Sequence, residues 1–122
     1  MVNEDQKKKS ILLSIKHKLG LDEDDGYDDD IIIDINSALS YINDLGIGPK
    51  ACFSITGPEE LWTDFLGNAT NLEMVKSLVY LKVKLVFDPP TLGFLLDAIN
   101  KQIAELEYRL YVRRDNEMGG NT

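Results

Sequence analysis

The chain has 122 residues and a mass of 13.7 kDa, and its 43% hydrophobic content is enough to fill the core of one small domain. Acidic residues outnumber basic residues by 21 to 13, so the formal net charge of -8 opposes binding to nucleic-acid phosphates and to anionic lipid surfaces. We therefore expect neither sequence-specific nucleic-acid binding nor membrane association.

The cysteine content and the first residues exclude further classes of protein. Cys52 is the only cysteine, so neither an internal disulfide nor a cysteine-based zinc site is expected. The polar stretch after Met1 lacks the apolar core of a signal peptide, and the apolar runs fall short of the roughly 18 residues that a membrane span needs. We expect a cytoplasmic protein in which Cys52 fills space in the core rather than reacting as a nucleophile.

Two helices are predicted in the first part of the chain. Apolar residues at helical spacing place one over residues 7–19, ended by Gly20, and the next over residues 29–45, ended by Gly46. Between them, residues 22–30 contain seven carboxylates, and we call this segment the acidic loop. Its last three residues are aspartates that lie where an N-cap residue and first-turn acids stabilise a helix.

The middle of the chain has the least regular pattern. Residues 51–57 are predicted to form a short extended piece. Pro58 and the two glutamates after it predict the start of a short helix. We interpret Trp62 and Phe65 in this helix as packing beneath a loop, and the alternative is that they close a ligand pocket.

A central buried helix is predicted over residues 72–87, which are apolar almost all round, with Asn71 as its cap. Its polar residues share one narrow sector: Glu73, Lys76, Ser77, Tyr80 and Lys84. Alternating apolar residues over 81–87 leave a strand as the alternative, which the length of the segment disfavours. Lys82 lies opposite the polar sector, so its ammonium must reach solvent or find a carboxylate. Helical geometry puts Glu107 about 15 Å too far along to serve, so we expect any partner from another segment or another chain.

The dipeptide Pro89-Pro90 predicts a break after Asp88 and a last helix over residues 89–113, with Asp88 as cap and the prolines in its first turn. At 1.5 Å per residue this helix is about 37 Å long, more than so small a core needs, so part of it should meet another chain. Its apolar seam is formed by Leu92, Leu96, Ile99, Ile103, Leu106 and Leu110.

The opposite face of this last helix has charges of alternating sign at every fourth residue. We call them the charge ladder: Asp97, Lys101, Glu105, Arg109 and Arg113. The ladder is either a solvated face with small gains between neighbours or a face that also pairs with a neighbouring subunit. Together with Lys82, its members are the candidate contacts with other subunits or partners.

No pattern for catalysis or cofactor binding is present. Aligning Gly26 with the turn glycine of a calcium-binding EF-hand puts Leu21 and Ile32 at two obligatory ligand positions, so no metal site is predicted. His17 has no acidic or serine partner at a recognisable spacing, and isolated glycines such as Gly48 do not form a phosphate-binding loop. We predict no catalytic residues, no metal and no cofactor. The acidic loop is interpreted as helix capping with a solvated surface, or as a docking surface for a basic partner.

A pattern of apolar positions and helix breakers extends from Ile11 to Arg113. Its segments are Leu19-Gly20-Leu21 with the acids that follow, residues 31–38, Tyr41-Ile42, Leu45-Gly46-Ile47-Gly48, residues 78–83, Phe87-Asp88-Pro89-Pro90 and the terminal amphipathic helix. This pattern resembles the small head-tail connector (head-completion adaptor) proteins of tailed bacteriophages and prophages, and its second half looks like the branch from phages of Gram-positive hosts. Members of the family differ in the segment that corresponds to residues 50–71.

The resemblance implies a mainly α-helical subunit that joins a ring beneath the portal and links the DNA-filled head to the tail. Its implied partners are copies of itself, the portal protein and tail-completion proteins, in the virion and in the bacterial cytoplasm during assembly.

We predict an all-α bundle of four to five helices with a long C-terminal helix and an irregular middle segment. Residues 1–10 are predicted to be a flexible N-terminal segment, 11–114 a single helical domain and 115–122 a flexible tail. The predicted role is structural and not enzymatic. The alternative is a small acidic regulatory or host-directed binding protein whose acidic loop occupies a basic groove.

Overall fold

The computed structural model describes residues 4–51, 53–67 and 71–119, so Cys52 lies outside the described residues. Six helices are formed: α1 Glu4–Lys9, α2 Ile11–Leu19, α3 Asp28–Asp44, α4 Trp62–Leu66, α5 Leu72–Phe87 and α6 Gly93–Gly119. These ranges contain no β-strand, which confirms the predicted all-α bundle with a long C-terminal helix. None of the described helices is both long and apolar enough to cross a lipid bilayer.

Helix α5 is the centre of the bundle and packs against α2, α3 and α6. Val75, Leu78, Val79 and Val83 on α5 are fully buried, as the nearly all-apolar sequence predicts, and the strand alternative is wrong. Helix α3 buries the apolar side that its sequence indicated: Ile31, Ile35, Leu39 and Ile42. Burial of each such side chain contributes about 1.5–3 kcal/mol, so this contact is the main source of stability.

The helix ends agree with the sequence to differing degrees. Gly20 ends α2 in the left-handed region with a φ of 78°, and the first turn of α3 carries three aspartates, both as predicted. The N-cap residue of α3 is Tyr27, however, and no side chain caps that helix. Asn71 occupies the predicted cap position of α5, but its side chain makes no capping hydrogen bond. First-turn charge therefore stabilises the start of α3 without a side-chain cap.

The prediction of one helix over residues 7–19 is wrong, because the chain forms α1 and α2 with a break at Ser10. Ser10 is extended, with φ -74° and ψ 133°, and its Oγ accepts a hydrogen bond from the Leu13 N–H at 3.2 Å. The same hydroxyl donates to the Pro58 carbonyl at 2.8 Å, and Ser10 forms an isolated antiparallel bridge with Leu61. An N-cap serine paired with a distant segment thus starts a second helix.

Residues 53–57 have no regular structure, and helix α4 begins at Trp62 rather than directly after Pro58. The Asp64 carboxylate accepts a hydrogen bond from the Leu61 N–H at 2.8 Å and so caps the start of α4. Trp62 and Phe65 are buried in the core, as interpreted from the sequence. The Trp62 indole N–H donates to Ser14 Oγ at 2.8 Å, which satisfies both buried polar groups.

The turn after α3 requires a glycine at position 48. Gly48 has a φ of 92°, a conformation that side chains disfavour, and a Cβ placed there would lie 2.7 Å from the Phe65 ring. The turn is further held by Asn43, whose Nδ2 donates to the carbonyls of Ile47 and Pro49 at 3.0 and 2.6 Å. The close packing of Phe65 on this turn joins the middle of the chain to the end of α3.

The last helix begins at Gly93, so the prediction that Pro89 and Pro90 form its first turn is wrong. A residue that precedes proline is driven out of the helical region, and here both Asp88 and Pro89 precede one. At its other end α6 continues to Gly119, past the predicted end at residue 113, because no proline or glycine interrupts residues 113–118. The assignment of residues 1–10 and 115–122 as flexible segments stays a prediction.

The delayed start shifts α6 along α5. Val86 on the last turn of α5 lines the same groove as Asn100 and Ile103 of α6. Residues 93–99 therefore extend about 10 Å past the end of α5.

The irregular segment before α4 is attached to α3 by one side chain. Asn36 Nδ2 donates to the Ile55 carbonyl at 3.0 Å, and the Ile55 N–H donates to Asn36 Oδ1 at 2.7 Å. The amide thus binds both backbone groups of a buried residue, as a neighbouring strand would. Nothing in the sequence pattern indicated this contact between residues 19 positions apart.

We predict that Asn36→Ala lowers the free energy of unfolding by about 2 kcal/mol, because it leaves the N–H and C=O of Ile55 unpaired. Chemical denaturation monitored by circular dichroism measures the change. Ser40→Ala, an exposed position on the same helix, is the control and should change stability by less than about 0.5 kcal/mol. Equal effects of the two substitutions would show that the Asn36 contact contributes nothing.

Candidate functional site

The buried Lys16 on α2 forms ion pairs with two aspartates of the acidic loop. The Lys16 side chain is only 2% exposed, and its Nζ donates a hydrogen bond to Asp25 and lies 2.8 Å from Asp28 Oδ1. Burial alone would lower the pKa of Lys16, but the two carboxylates outweigh it, so the pKa is raised above its usual value. The sequence contained one signal for this contact, since Lys16 follows the buried Leu12 by four residues and so lies on the apolar side of α2.

A hydrogen bond with Asp22 corrects the prediction that His17 has no acidic partner at a recognisable spacing. His17 Nδ1 lies 2.9 Å from Asp22 Oδ2, and Lys7 Nζ lies 3.6 Å from the same oxygen. The hydrogen bond with His17 is the main reason that the pKa of Asp22 is lowered. The left-handed Gly20 reverses the chain after α2 and returns Asp22 to the last turn of that helix. A regular helical spacing could not reveal such a pair.

The remaining acidic-loop residues face solvent. Asp24 Oδ1 accepts a hydrogen bond from the Gly26 N–H at 2.9 Å, which closes a local turn, while Glu23, Asp29 and Asp30 are exposed. Within the described ranges, no three His, Cys, Asp or Glu side chains converge in the manner of a metal site. The loop therefore combines internal ion pairs with solvated acids, and no side chain in it caps α3.

Lys82 pairs with Glu107, so the prediction that Glu107 lies too far along α6 is wrong. Lys82 Nζ is 3.7 Å from Glu107 Oε2, and the ammonium also lies 3.7 Å from the centre of the Tyr41 ring. The prediction assumed a helix that restarts at Pro89, whereas α6 begins at Gly93 and is displaced along α5, so that Glu107 comes within reach of Lys82. One cluster of three side chains thereby connects α3, α5 and α6.

The cluster is partly shielded from solvent, which strengthens its electrostatics. The side chains of Lys82 and Glu107 are each about one-fifth exposed, and Glu107 Oε2 is buried without a hydrogen bond. Glu107 raises the pKa of Tyr41, because its carboxylate accepts a hydrogen bond from the phenol and its charge opposes ionisation of that phenol. The positive charge of Lys82 thus stabilises the Glu107 carboxylate, whose partial burial would otherwise be unfavourable.

The charge ladder lies on the solvent side of α6, where the sequence placed it. All five members are exposed: Asp97, Lys101, Glu105, Arg109 and Arg113. Glu105 Oε1 and Arg109 Nη2 form an ion pair of 2.7 Å within the helix. The other three form no ion pair with any residue whose side chain is described. Because exposed pairs contribute at most about 1 kcal/mol, the ladder adds little to the stability of the single chain.

An open groove lies between α3, the last two turns of α5 and the first half of α6, with a volume of about 410 Å³. Its lining residues are Asp34, Ser37, Ala38, Tyr41, Lys82, Leu85, Val86, Asn100 and Ile103. A second cleft, lined in part by Asp30, Ile33 and Phe87, adjoins it and shares Asp34 and Val86. We call the two together the α3–α5–α6 groove. Sequence analysis missed it, because three helices far apart in the chain form its walls.

We predict that Lys82→Met destabilises the fold by about 1–3 kcal/mol, because it leaves the Glu107 carboxylate without its compensating charge. Glu107→Gln removes that charge, so the double variant should recover part of the loss. A double-mutant cycle by urea denaturation measures the coupling, expected at about 1 kcal/mol. A cycle whose two effects simply add would show that the pair has no energetic role.

The raised pKa of Lys16 predicts a dependence of stability on alkaline pH. The stabilisation is fully present below the ordinary lysine value of 10.5 and is lost as the pH rises through the higher pKa of the folded state. Lys16→Met should therefore lose less stability between pH 10 and 12 than the parent. Lys18→Met, an exposed change on the same helix, should behave like the parent. Thermal denaturation over this pH range compares them, and identical profiles for the Lys16 variant and the parent would contradict the prediction.

Comparison with known proteins gives one match. A family model described as phage connector protein matches residues 11–117. No curated protein and no solved structure matches the chain. The match covers most of the chain, including the acidic loop, the central helix and the charge ladder, and it confirms the resemblance to phage connector proteins. The branch from phages of Gram-positive hosts stays a prediction. The chain belongs to the phage connector protein family.

Proposed function

We propose that this structural phage protein assembles as a ring beneath the portal and there joins the head to the tail, without catalysis. The observation that carries the proposal is the family match over residues 11–117. The proposed partners are copies of the same chain, the portal protein and tail-completion proteins. The proposed location is the virion, after assembly in the cytoplasm of the host bacterium.

The shape of α6 supports a role in assembly. The helix has 27 residues and is about 40 Å long, so it extends beyond the elements on which it packs. Its charge ladder is exposed and contains charges of both signs. A head-to-tail contact between copies closes into a ring when its rotation is suitable, and opposite charges can fix the register of such a contact.

The net charge of the chain also suits this role. With a formal charge of -8, the surface repels phosphate groups and so does not retain DNA that has to pass from head to tail. The alternative role, an acidic binding protein that occupies a basic groove, receives less support. Asp22, Asp25 and Asp28 of the acidic loop already pair with His17 and Lys16.

The test is to mix the purified chain with its cognate portal protein and image the product by electron microscopy. We expect a closed ring of added density beneath the portal. The double variant Lys101→Glu/Arg109→Glu should weaken this association by about tenfold, since each reversal turns a favourable charge contact into a repulsive one. The control Lys8→Glu/Lys9→Glu makes the same change of charge on the exposed surface of α1 and should bind like the parent.

Absence of rings and of added density beneath the portal would contradict the connector role. Rings that form equally well with the Lys101→Glu/Arg109→Glu variant would retain that role but remove the charge ladder from the contact.

A further inference from the structure

Large apolar side chains are exposed to solvent at the rim of the α3–α5–α6 groove. Ile33 and Val86 on its rim are 62% and 70% exposed. At the start of α6, which extends past α5, Phe94 is 68% exposed and Leu95 is also exposed. Exposed apolar side chains of this size beside a cleft mark a surface that another protein covers.

The groove also contains acidic groups without a compensating cation. Asp30 and Asp34 on α3 form no ion pair with any described side chain. Burial, reinforced by the charge of Asp30, raises the pKa of the half-buried Asp34, so its ionised form is disfavoured in the single chain. Lys82 also lines the groove, but its ammonium is paired with Glu107. An incoming cation would therefore find an uncompensated carboxylate.

The far end of α6 carries the complementary chemistry. Tyr108 is 68% exposed and Tyr111 is also exposed, and Arg109 and Arg113 lie between and beyond them. Aromatic and arginine side chains are the types most enriched in the cores of protein interfaces. We call residues 108–113 the basic aromatic segment.

One copy cannot place its own basic aromatic segment in its own groove. Asn100 lies at the level of the groove, and the 11 residues from there to Tyr111 extend about 16 Å along a rigid helix. The two surfaces therefore need two copies, in a contact that uses a different patch on each partner. Such a contact leaves one free groove and one free segment on every pair, which is the condition for growth into a ring.

We propose that the basic aromatic segment of one copy docks in the α3–α5–α6 groove of the next, with Tyr108 and Tyr111 covering Ile33 and Val86 and Arg113, which unlike Arg109 has no described ion-pair partner, beside Asp34. This inference rests on the proposed ring and names the surfaces that form it. The occupant is a second copy because the chain itself supplies both the apolar, acidic groove and the aromatic, basic segment that fits it.

The first test is cross-linking between two single-cysteine variants made in a Cys52→Ser background. Ile33→Cys and a size-tagged Tyr111→Cys are mixed, assembled with portal protein and treated with a short bismaleimide. We expect a mixed dimer of intermediate mass and little product from either variant alone. Thr63→Cys, exposed on α4, replaces Ile33→Cys as the control and should give no mixed dimer with Tyr111→Cys.

The second test separates docking from folding. Asp34→Asn removes a carboxylate that burial disfavours, so the melting temperature should stay the same or rise. Association of the same variant should weaken about three- to fivefold, the effect of losing one partly screened charge pair, by analytical ultracentrifugation with portal present. Asp44→Asn, exposed at the other end of α3, is the control and should leave association unchanged.

The outcomes distinguish this inference from the proposed function. Rings that form without a mixed cross-link, and that Asp34→Asn leaves intact, would overturn the docking geometry and retain the connector role. Cross-links of Tyr111→Cys to portal protein alone would assign the segment to a different occupant and overturn the inference. If no assembly forms with portal under any condition, both proposals fail.

Discussion

Two consecutive prolines after α5 determine where α6 lies along the bundle. Asp88 and Pro89 both precede a proline and are held out of the helical region, α6 begins at Gly93, and the connector carries the start of α6 past the end of α5. That shift brings Glu107 level with Lys82 and leaves Phe94 beyond the core. The central ion pair and the exposed end of α6 thus have one local cause.

The two partly or fully buried lysines show how a helical core accommodates charge. Lys16 is enclosed, and two aspartates from the next loop reach it, so the loop gains a fixed position from a group that would be costly alone. Lys82 is less enclosed and combines a carboxylate with the face of an aromatic ring. In both cases the charged group joins elements that apolar packing alone would hold less specifically. Apolar side chains are adaptable in how they pack, whereas an ion pair requires two particular side chains to meet and so fixes the relative position of the elements that carry them.

Sequence reasoning succeeded where neighbours along the chain decide the structure. Periodicity and flanking breakers placed α3 and α5 to within a residue, and the ladder on α6 was correctly placed on the solvent side. Sequence reasoning failed where contacts between residues far apart in the chain determine the structure. Ser10 breaks the first helix because Pro58 and Leu61 are beside it, and the groove depends on a helix offset that no periodicity contains. The contact of Asn36 with Ile55 is another example, because no sequence pattern indicates that these two residues meet in the folded chain.

The buried Trp62 gives the molecule a built-in optical reporter. It is the only tryptophan in the chain, it lies buried in the middle segment, and its indole donates a hydrogen bond to Ser14 on α2. Its emission therefore depends on whether that segment remains seated on α2. Because Trp62 lies away from both the groove and the charge ladder, its fluorescence separates rearrangement inside one copy from contact between copies. Assembly of this protein can thus be followed without attaching a dye.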